Sequence, residues 1–597
     1  MTKRAFTISE WTELYQGGGQ TPRDLIYKLI AGLDSHDPAL ILICPDWYVE
    51  KQLLQLEKAE NKTLPLYGIP FVVKDNIDVS GLVTTAACPE FAYVAKENAQ
   101  VVDRLINAGA ILVGKTNLDQ FATGLVGTRS PFGVVPNTFD ANYISGGSSS
   151  GSASMVARGI VPFSLGTDTA GSGRIPAGLN NIVGLKATPG KVPMQGVLPA
   201  CKTLDVVSIF SLIVTDAAKV LAIIEDSEDK KIPPLFVNQN AWFRNGDGLP
   251  KIGVPVCPLL DKEIGYEKAF ENSVAKMNEK FEVAKIDMTL FDQVAQLLYE
   301  GPWVAERFIT IEDLYKSKSE AIDPTVKKVI EKALQFDAIS TFKKQYELED
   351  LKKKTQDIWR EIDVLVVPTT PTCPTIGAVA EEPILRNSEL GTYTNFVNLL
   401  GLCAIAIPAS MSDSGLPFGI TLIAPNGFDH ALVQLARIFE KDNTLFLGKS
   451  LRSKLPLDQE FHSAPASRPS IEIAVVGAHL KGMPLHHQIQ NSTCKWIETT
   501  VTAKEYRLFA LANTQPPKPG LVRVEEEGGK AIEVEVYQMP LDQVGEFLKQ
   551  IPEPLGLGSI KLKSGRFVKG FICEPIGFLG AKEISEFGGW RGYLEND

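Results

Sequence analysis

The sequence predicts an α/β protein. A large domain alternates helices with strands of a largely parallel sheet, and a smaller β-rich domain follows it. Three observations carry this reading. Short apolar runs alternate with amphipathic stretches from about residue 65 to 450. Residues 456–470, PLDQEFHSAPASRPS, are polar, rich in proline and serine, and without periodicity, as an interdomain linker is. Beyond them the pattern turns to strand alternation punctuated by turns. The boundaries so drawn are a first domain at 1–455, a linker at 456–470 and a second domain at 471–597.

The elements follow in order. The first 60 residues read as helical: Thr21 is a cap, Pro22 sits at the first helical position, and DLIYKLIAGL carries apolar residues at helical spacing. PLYGIPFVVKDNIDV (65–79) changes character, because IPFVV is an apolar run that stops at polar residues, as a buried strand does. VVDRLINAGA (101–110) is a helix ending near Gly109, and ILVG (111–114) is a strand. SMVARG continues as a helix, VPFSLG as a strand, and IPAGLNN opens another helix. VLVVP (364–368) and FGITLIAP (418–425) are strands again. In the tail, IEIAVVG, CKWIETTVTAKEYRLFAL, GLVRVEEE, KAIEVEVYQM and SIKLKSGRFVKGFICE alternate as strands do, with a turn at Gly528-Gly529.

Composition excludes several classes. Hydrophobic residues make up 44% and charged residues 22% of the 597, as in an ordinary globular protein rather than a disordered one. Lysine plus arginine is 60 and aspartate plus glutamate 71, a net charge of −11. That balance provides no counterion-release drive toward nucleic acid and no attraction to anionic lipid. No apolar run reaches the length of a membrane span, and MTKRAFTISEW lacks the apolar core of a signal peptide. The eight cysteines are scattered without a CxxC pair, as expected of reduced thiols in a cytoplasmic protein. The six histidines have no metal-like spacing, so a zinc site is not expected.

Four segments bear on chemistry. SGGSSSGSAS (145–154) alone reads as a flexible linker. It lies inside the larger domain, however, between segments that look buried, which suits a loop where backbone approaches a ligand closely. Gly166-Thr167-Asp168-Thr169-Ala170-Gly171-Ser172-Gly173-Arg174 follows a strand. Small residues before Ser172 leave N–H groups free to converge on one point, as an oxyanion hole requires; a plain glycine turn fits these nine residues equally well. Lys74 follows an apolar run. Burial would lower its pKa and make it a usable base, although an ordinary surface lysine is the simpler reading of that residue alone. Finally, Gly109 to Thr116 matches the pattern GxxxxGK[ST]. A helix precedes it and AILV fills its centre, so it is a buried strand and not a phosphate cradle.

Together PLYGIPFVVKDNIDV, GAILVGKTNLDQFATG, SGGSSSGSA, GTDTAGSGRIPA and VGLKATPGKVP resemble the amidase signature family over about residues 20–450. Ser148 is the first serine after Gly146-Gly147 and lies 24 residues before Ser172, the spacing which that family keeps. The resemblance implies one α/β/α domain around a large mixed, mostly parallel sheet. It implies Ser172 as nucleophile and Lys74 as base, bridged by Ser148, which usually follows a cis peptide bond. It implies the amides of Thr169, Ala170, Gly171 and Ser172 as the oxyanion hole. The chemistry agrees, since a serine hydroxyl needs a base to take its proton and a lysine serves only when neutral. No histidine lies in these blocks, so a Ser–His–Asp arrangement has no support.

LLYEGPWVAERF (297–308), AVVGAHLKGMPLHHQI (474–489) and VYQMPLDQVGEFLKQIPEPLGLGSIKLKSGRFVKGFICE (536–574) resemble the allophanate hydrolases within that family. Their small tail domain is similar to γ-glutamylcyclotransferases. This implies hydrolysis of allophanate (urea-1-carboxylate) to ammonia and N-carboxycarbamate, ending in ammonia and carbon dioxide, in urea degradation. It also implies functional coupling to urea carboxylase, a homodimer, and no cofactor. A carboxylate in a closed pocket calls for an arginine, and Arg307 is the candidate. Tyr299, eight residues earlier, is the candidate hydrogen-bond donor; on one helix both would face one pocket, with Gly301-Pro302 between them as a bend or a helix start. Gly124 would let substrate lie against backbone. His479 and His487 are acid–base candidates in the tail, where a histidine is more often structural. Two alternatives stay open: a glutaminase subunit of a tRNA-dependent amidotransferase, which the tail disfavours, and a nucleotide-binding or assembly protein with the serine loop as phosphate cradle.

Overall fold

The computed structural model describes residues 7–16, 20–58, 64–226, 250–442, 446–450, 470–490, 494–512 and 514–596. The linker expected at 456–470 falls outside them except for Ser470, which opens a strand of the tail. The described residues divide into two compact units, one reaching Ser450 and one starting at Ser470.

The strands of the larger unit are β1 (Leu40–Ile43), β2 (Pro70–Lys74), β3 (Val83–Thr84), β4 (Tyr93–Val94), β5 (Ile111–Thr116), β6 (Phe163–Asp168), β7 (Val183–Lys186), β8 (Val206–Ser211), β9 (Ile252–Pro255), β10 (Val283–Ile286), β11 (Val364–Pro368), β12 (Cys403–Met411) and β13 (Pro417–Ala424). All but the β3–β4 pair join one sheet of eleven strands in the order β1-β5-β2-β6-β8-β7-β12-β13-β11-β9-β10. Every residue of β2, β5, β6, β8, β11 and β13 is buried, as expected of central strands covered on both faces.

The α/β class and the mixed sheet hold. The parallel share is smaller than the alternation of helices and strands suggests. β2 runs parallel to β5 and β6, and β9 to β10 and β11, whereas the other six pairings are antiparallel. A helix between two strands does not oblige them to be sheet neighbours, and β12 and β13 are joined by a short turn that needs no crossover. The helical reading of the first 60 residues also missed β1, which pairs antiparallel with β5. Four apolar residues are too few for periodicity to separate strand from helix. The cap at Thr21 is present as a capping box with Asp24, opening the helix Pro22–Ala31.

The tail is α+β. Its strands are β14 (Ser470–Val475), β15 (Lys495–Val501), β16 (Tyr506–Ala510), β17 (Pro519–Arg523), β18 (Glu533–Pro540), β19 (Leu555–Lys561), β20 (Phe567–Cys573) and β21 (Lys582–Glu583). They form sheets of order β15-β18-β14-β20-β19 and β17-β16-β21 around a core that includes Ile473, Leu508, Val534, Phe571 and Trp590.

One pairing positions the chemistry. β2 and β6 are parallel neighbours, with Val73 opposite Leu165. Their carboxyl ends therefore emerge at the same edge of the sheet, where open α/β sheets place their ligands.

Candidate active site

Lys74 is the last residue of β2 and is completely buried. Its Nζ donates to Ser148 Oγ and to Thr167 Oγ1 of β6, each at 2.8 Å. No carboxylate lies within ion-pair distance of it among the described residues, and the adjacent Asp75 pairs instead with buried Lys115 at 2.8 Å. Burial lowers the Lys74 pKa to about 7; Asp119, Asp205 and Asp168 partly offset this, and Arg307 adds to it. Lys74 is thus not the surface lysine that its local sequence alone favours. Lys115 likewise shows why the phosphate-loop pattern is a false lead: it lies within β5 and bonds Thr84 Oγ1 and the Val83 carbonyl.

Ser148 precedes the helix Ser150–Ala157, and the Gly147–Ser148 peptide is cis. The serine-rich loop is packed throughout, with Ser145, Ser148, Ser149 and Ser150 all buried. Gly147 must be glycine, because a Cβ there would stand 2.1 Å from Asp119 Oδ2.

Ser172 is 2% exposed and lies between β6 and the helix Ile175–Leu179. Its hydroxyl makes no hydrogen bond among the described residues, so it is uncommitted. The loop is fastened at both ends by the fully buried pair Asp168–Arg174, bonded through Nε and Nη2 at 2.9 Å each. Burial opposes the charge of Asp168, yet Arg174 outweighs it and holds the carboxyl below the usual range. Asp168 also accepts from the amides of Gly171 and Gly173 at 2.9 and 3.0 Å. Of the four amides expected to face an oxyanion, that of Gly171 is therefore engaged. Those of Thr169, Ala170 and Ser172 donate to no group among the described residues. Gly171 has φ +137°, and a Cβ would stand 2.4 Å from Thr394 Oγ1, so only glycine fits.

Arg307 lies on the helix Val304–Lys318 and is 3% exposed. Its Nη1 donates to Thr123 Oγ1 at 3.2 Å and to the Ala122 carbonyl at 3.4 Å, while its buried Nε has no partner. No carboxylate pairs with it among the described residues. The Ala122 carbonyl is turned toward it by two consecutive non-glycine residues in the left-handed region, Phe121 and Ala122, both at φ 53°. Such backbone is costly and concentrates at functional sites. Tyr299 does not share a helix with Arg307. The helix Thr289–Glu300 ends before Gly301-Pro302, and the next begins at Val304, because proline cannot continue the hydrogen-bond ladder. The side chains nonetheless meet, with the guanidinium carbon 5.4 Å from the Tyr299 ring centroid. Gly124 is buried, and a Cβ on it would stand 2.6 Å from Asp119 Oδ2.

Sequence reasoning missed Thr167, Asp119 and Asp205. Asp205 is buried, accepts from Thr169 Oγ1 and from the amides of Ala200 and Cys201, and burial raises its pKa. Thr167 stands inside a quoted motif, where its position one residue before Asp168 at the end of a strand is a usable signal. Asp119 likewise stands inside a quoted block, GAILVGKTNLDQFATG, whereas Asp205 carries no local signal.

In the tail, His479 and His487 diverge. His479 stacks on Phe571 at 5.0 Å, bonds Gln488 Oε1 through Nε2 at 2.8 Å, and lines a cleft with Lys518; burial lowers its pKa. His487 is exposed and bonds the Pro484 carbonyl.

A fold of this class, with a buried lysine bonded to a loop serine and a second, uncommitted serine after the neighbouring strand, has the parts of a serine amidohydrolase. The Amidase family model matches residues 26–433, and the chain belongs to that family. The Allophanate hydrolase C-terminal domain model matches residues 471–595. Urea amidolyase of Saccharomyces cerevisiae is 44% identical over 99% of this chain and 33% of its own length. That of Lachancea kluyveri is 42% identical with the same coverage. The chain thus spans about a third of the length of these curated relatives. A solved structure of Kluyveromyces lactis allophanate hydrolase is 41% identical, with both chains covered in full and a TM-score of 0.77.

Proposed function

We propose that this chain hydrolyses allophanate at its terminal amide, releasing ammonia and N-carboxycarbamate. The observation that carries the substrate class is Arg307, a buried guanidinium with no carboxylate partner among the described residues. A buried cation without a direct ion pair is costly; Asp205 acts on it only at longer range, and an anionic substrate supplies a direct partner. The relatives named allophanate hydrolase and urea amidolyase support the same substrate.

In this reading neutral Lys74 takes the proton of Ser172 through Ser148, and Ser172 Oγ bonds to the amide carbon. The free amides of the 169–172 turn receive the developing oxyanion. The Lys74 proton returns through Ser148 to the departing nitrogen, which leaves as ammonia. Water then cleaves the acyl-enzyme by the reverse relay. Arg307 binds the carboxylate and Tyr299 flanks it, while Gly124, whose missing Cβ makes room for Asp119 and not for substrate, offers only backbone beside Thr123.

We propose that the domain division falls within 456–470 and that the tail acts on the first product at His479, whose lowered pKa keeps the imidazole neutral at pH 7. His487, exposed and outside the cleft, has no part in that step. Coupling to a urea-carboxylating activity that supplies allophanate, a cytoplasmic location and a homodimer complete the proposal. The deciding experiment measures ammonia release from allophanate, glutamine, malonamate and biuret. Strong preference for allophanate is expected, and preference for glutamine overturns the reading.

A further inference from the structure

Asp119 is completely buried and bonds the backbone of Ser148 without belonging to the expected catalytic set. Its backbone amide donates to the Ser148 carbonyl at 3.2 Å. Its Oδ2 accepts from the amides of Val126 and Gly127 at 3.2 and 3.0 Å, and its Oδ1 from that of Arg129 at 3.0 Å. The loop held in this way returns the contact, since the Leu125 carbonyl accepts from the Gly147 amide at 2.8 Å. Glycine at 147 and at 124 leaves room for the carboxylate, as a Cβ at either position would overlap Oδ2.

We propose that Asp119 is the positioning residue of the Lys74–Ser148 pair, locking the Ser148 peptide between its own backbone amide and the 125–129 loop gathered by its carboxylate. The inference rests on the relay assignment above. Three amide donors take the place of water around one carboxylate, so a negative charge is accommodated in a site of low dielectric. That charge also acts on Lys74. The charged groups that bear on the lysine are Asp119, Asp205 and Asp168, which favour its cation, and Arg307, which opposes it; Asp75 beside it is occupied by Lys115. Asp119 therefore serves two purposes: it fixes the Ser148 hydroxyl within reach of Lys74, and it keeps the lysine from titrating too low to return its proton.

The test is Asp119→Asn in the full chain, with rates normalised to the folded fraction by near-ultraviolet circular dichroism. An amide offers one oxygen to three donors and turns its NH₂ toward another N–H. We expect kcat for allophanate to fall about a hundredfold, as when a group needed for proton transfer is disabled. We expect the acid limb of the kcat/KM profile to move down by about one pH unit, because losing an opposite charge disfavours the lysine cation. Labelling of Ser172 by an uncharged fluorophosphonate should slow and shift its pH dependence likewise, whatever the natural substrate. Asp119→Glu keeps the charge but displaces it, so it should slow labelling while leaving the limb near its wild-type position. A merely structural role predicts normalised rates equal to those of the wild type with an unmoved limb, and that result overturns the proposal. Failure of the underlying relay assignment reads differently: the wild-type chain itself would not be labelled at Ser172.

Discussion

Lys74 Nζ lies 2.8 Å from Ser148 Oγ, and both side chains are sealed from solvent. The contact joins residues 74 positions apart, one at the end of a central strand and one in a glycine-rich loop. It gives the buried lysine a hydroxyl, and not a carboxylate, as its partner. Its proton is therefore held weakly enough to be exchanged.

Ser172→Ala should abolish turnover and acyl-enzyme formation while leaving the melting temperature near that of the wild type, since the hydroxyl makes no bond among the described residues. The least expected loss is about a hundredfold. A smaller loss in a steady-state ammonia assay would move the nucleophile elsewhere.

Lys74→Ala and Ser148→Ala should each lower kcat by several orders of magnitude, and the double variant should be little worse than either, because groups acting as one proton-transfer unit are not additive. Strictly additive losses would show that the two do not form a relay.

Activity should rise with pH through about 7, the value to which burial lowers Lys74. The sign follows from the role. The neutral amine is the active form, so protonation below that pH removes the base, and the limb in kcat/KM belongs to the free enzyme. A limb near the ordinary lysine value would mean that burial does not lower Lys74, and a limb that stays at about 7 in the residual activity of Lys74→Ala would mean that Lys74 is not the base.

Arg307→Ala should raise KM for allophanate far more than for an uncharged amide. Losing a buried charged contact costs about 2–5 kcal/mol. Equal effects on both substrates in parallel kinetics would take Arg307 out of the carboxylate site.

A chain ending at residue 455 should still release the first ammonia, because the proposed relay and substrate contacts extend no further than Arg307. In the full chain, His479→Ala should slow carbon dioxide appearance without slowing that ammonia, and His487→Ala should change neither. Loss of the first step in a well-folded shortened chain would assign the tail to the amidase site.

Much of this protein is legible in its linear order. The turn at 166–174 and the loop at 145–154 are local: glycines, small residues and the Asp168–Arg174 spacing constrain the backbone over a few residues, and that constraint is written in consecutive letters. Buried strands such as β2 and β11 announce themselves through unbroken apolar runs. The sheet is less parallel than expected because strand order is set by which edges meet, not by which segments alternate. β1 escapes notice for want of length. The break at Gly301-Pro302 is visible in the letters, yet the approach of Tyr299 to Arg307 across it is not.

What the chain order could not convey is whatever depends on burial and on distant partners. The simpler reading of Lys74 as a surface residue is reasonable from its neighbours, and it fails because β5 and β6 enclose β2 on both sides. Arg307 meets Thr123 across 184 residues and Asp205 meets Thr169 across 36, whereas the three amides gathered by Asp119 lie only 7 to 10 residues beyond it and depend on how that loop folds back. A charge's pKa and its need for a partner are set by the dielectric and dipoles around it in space, and these exist only once the sheet has formed and its faces are covered. The residue types and spacings of the candidate catalytic set were thus available from the primary structure, while the lowered lysine pKa and the guanidinium without an ion-pair partner, on which the proposed roles depend, came from packing.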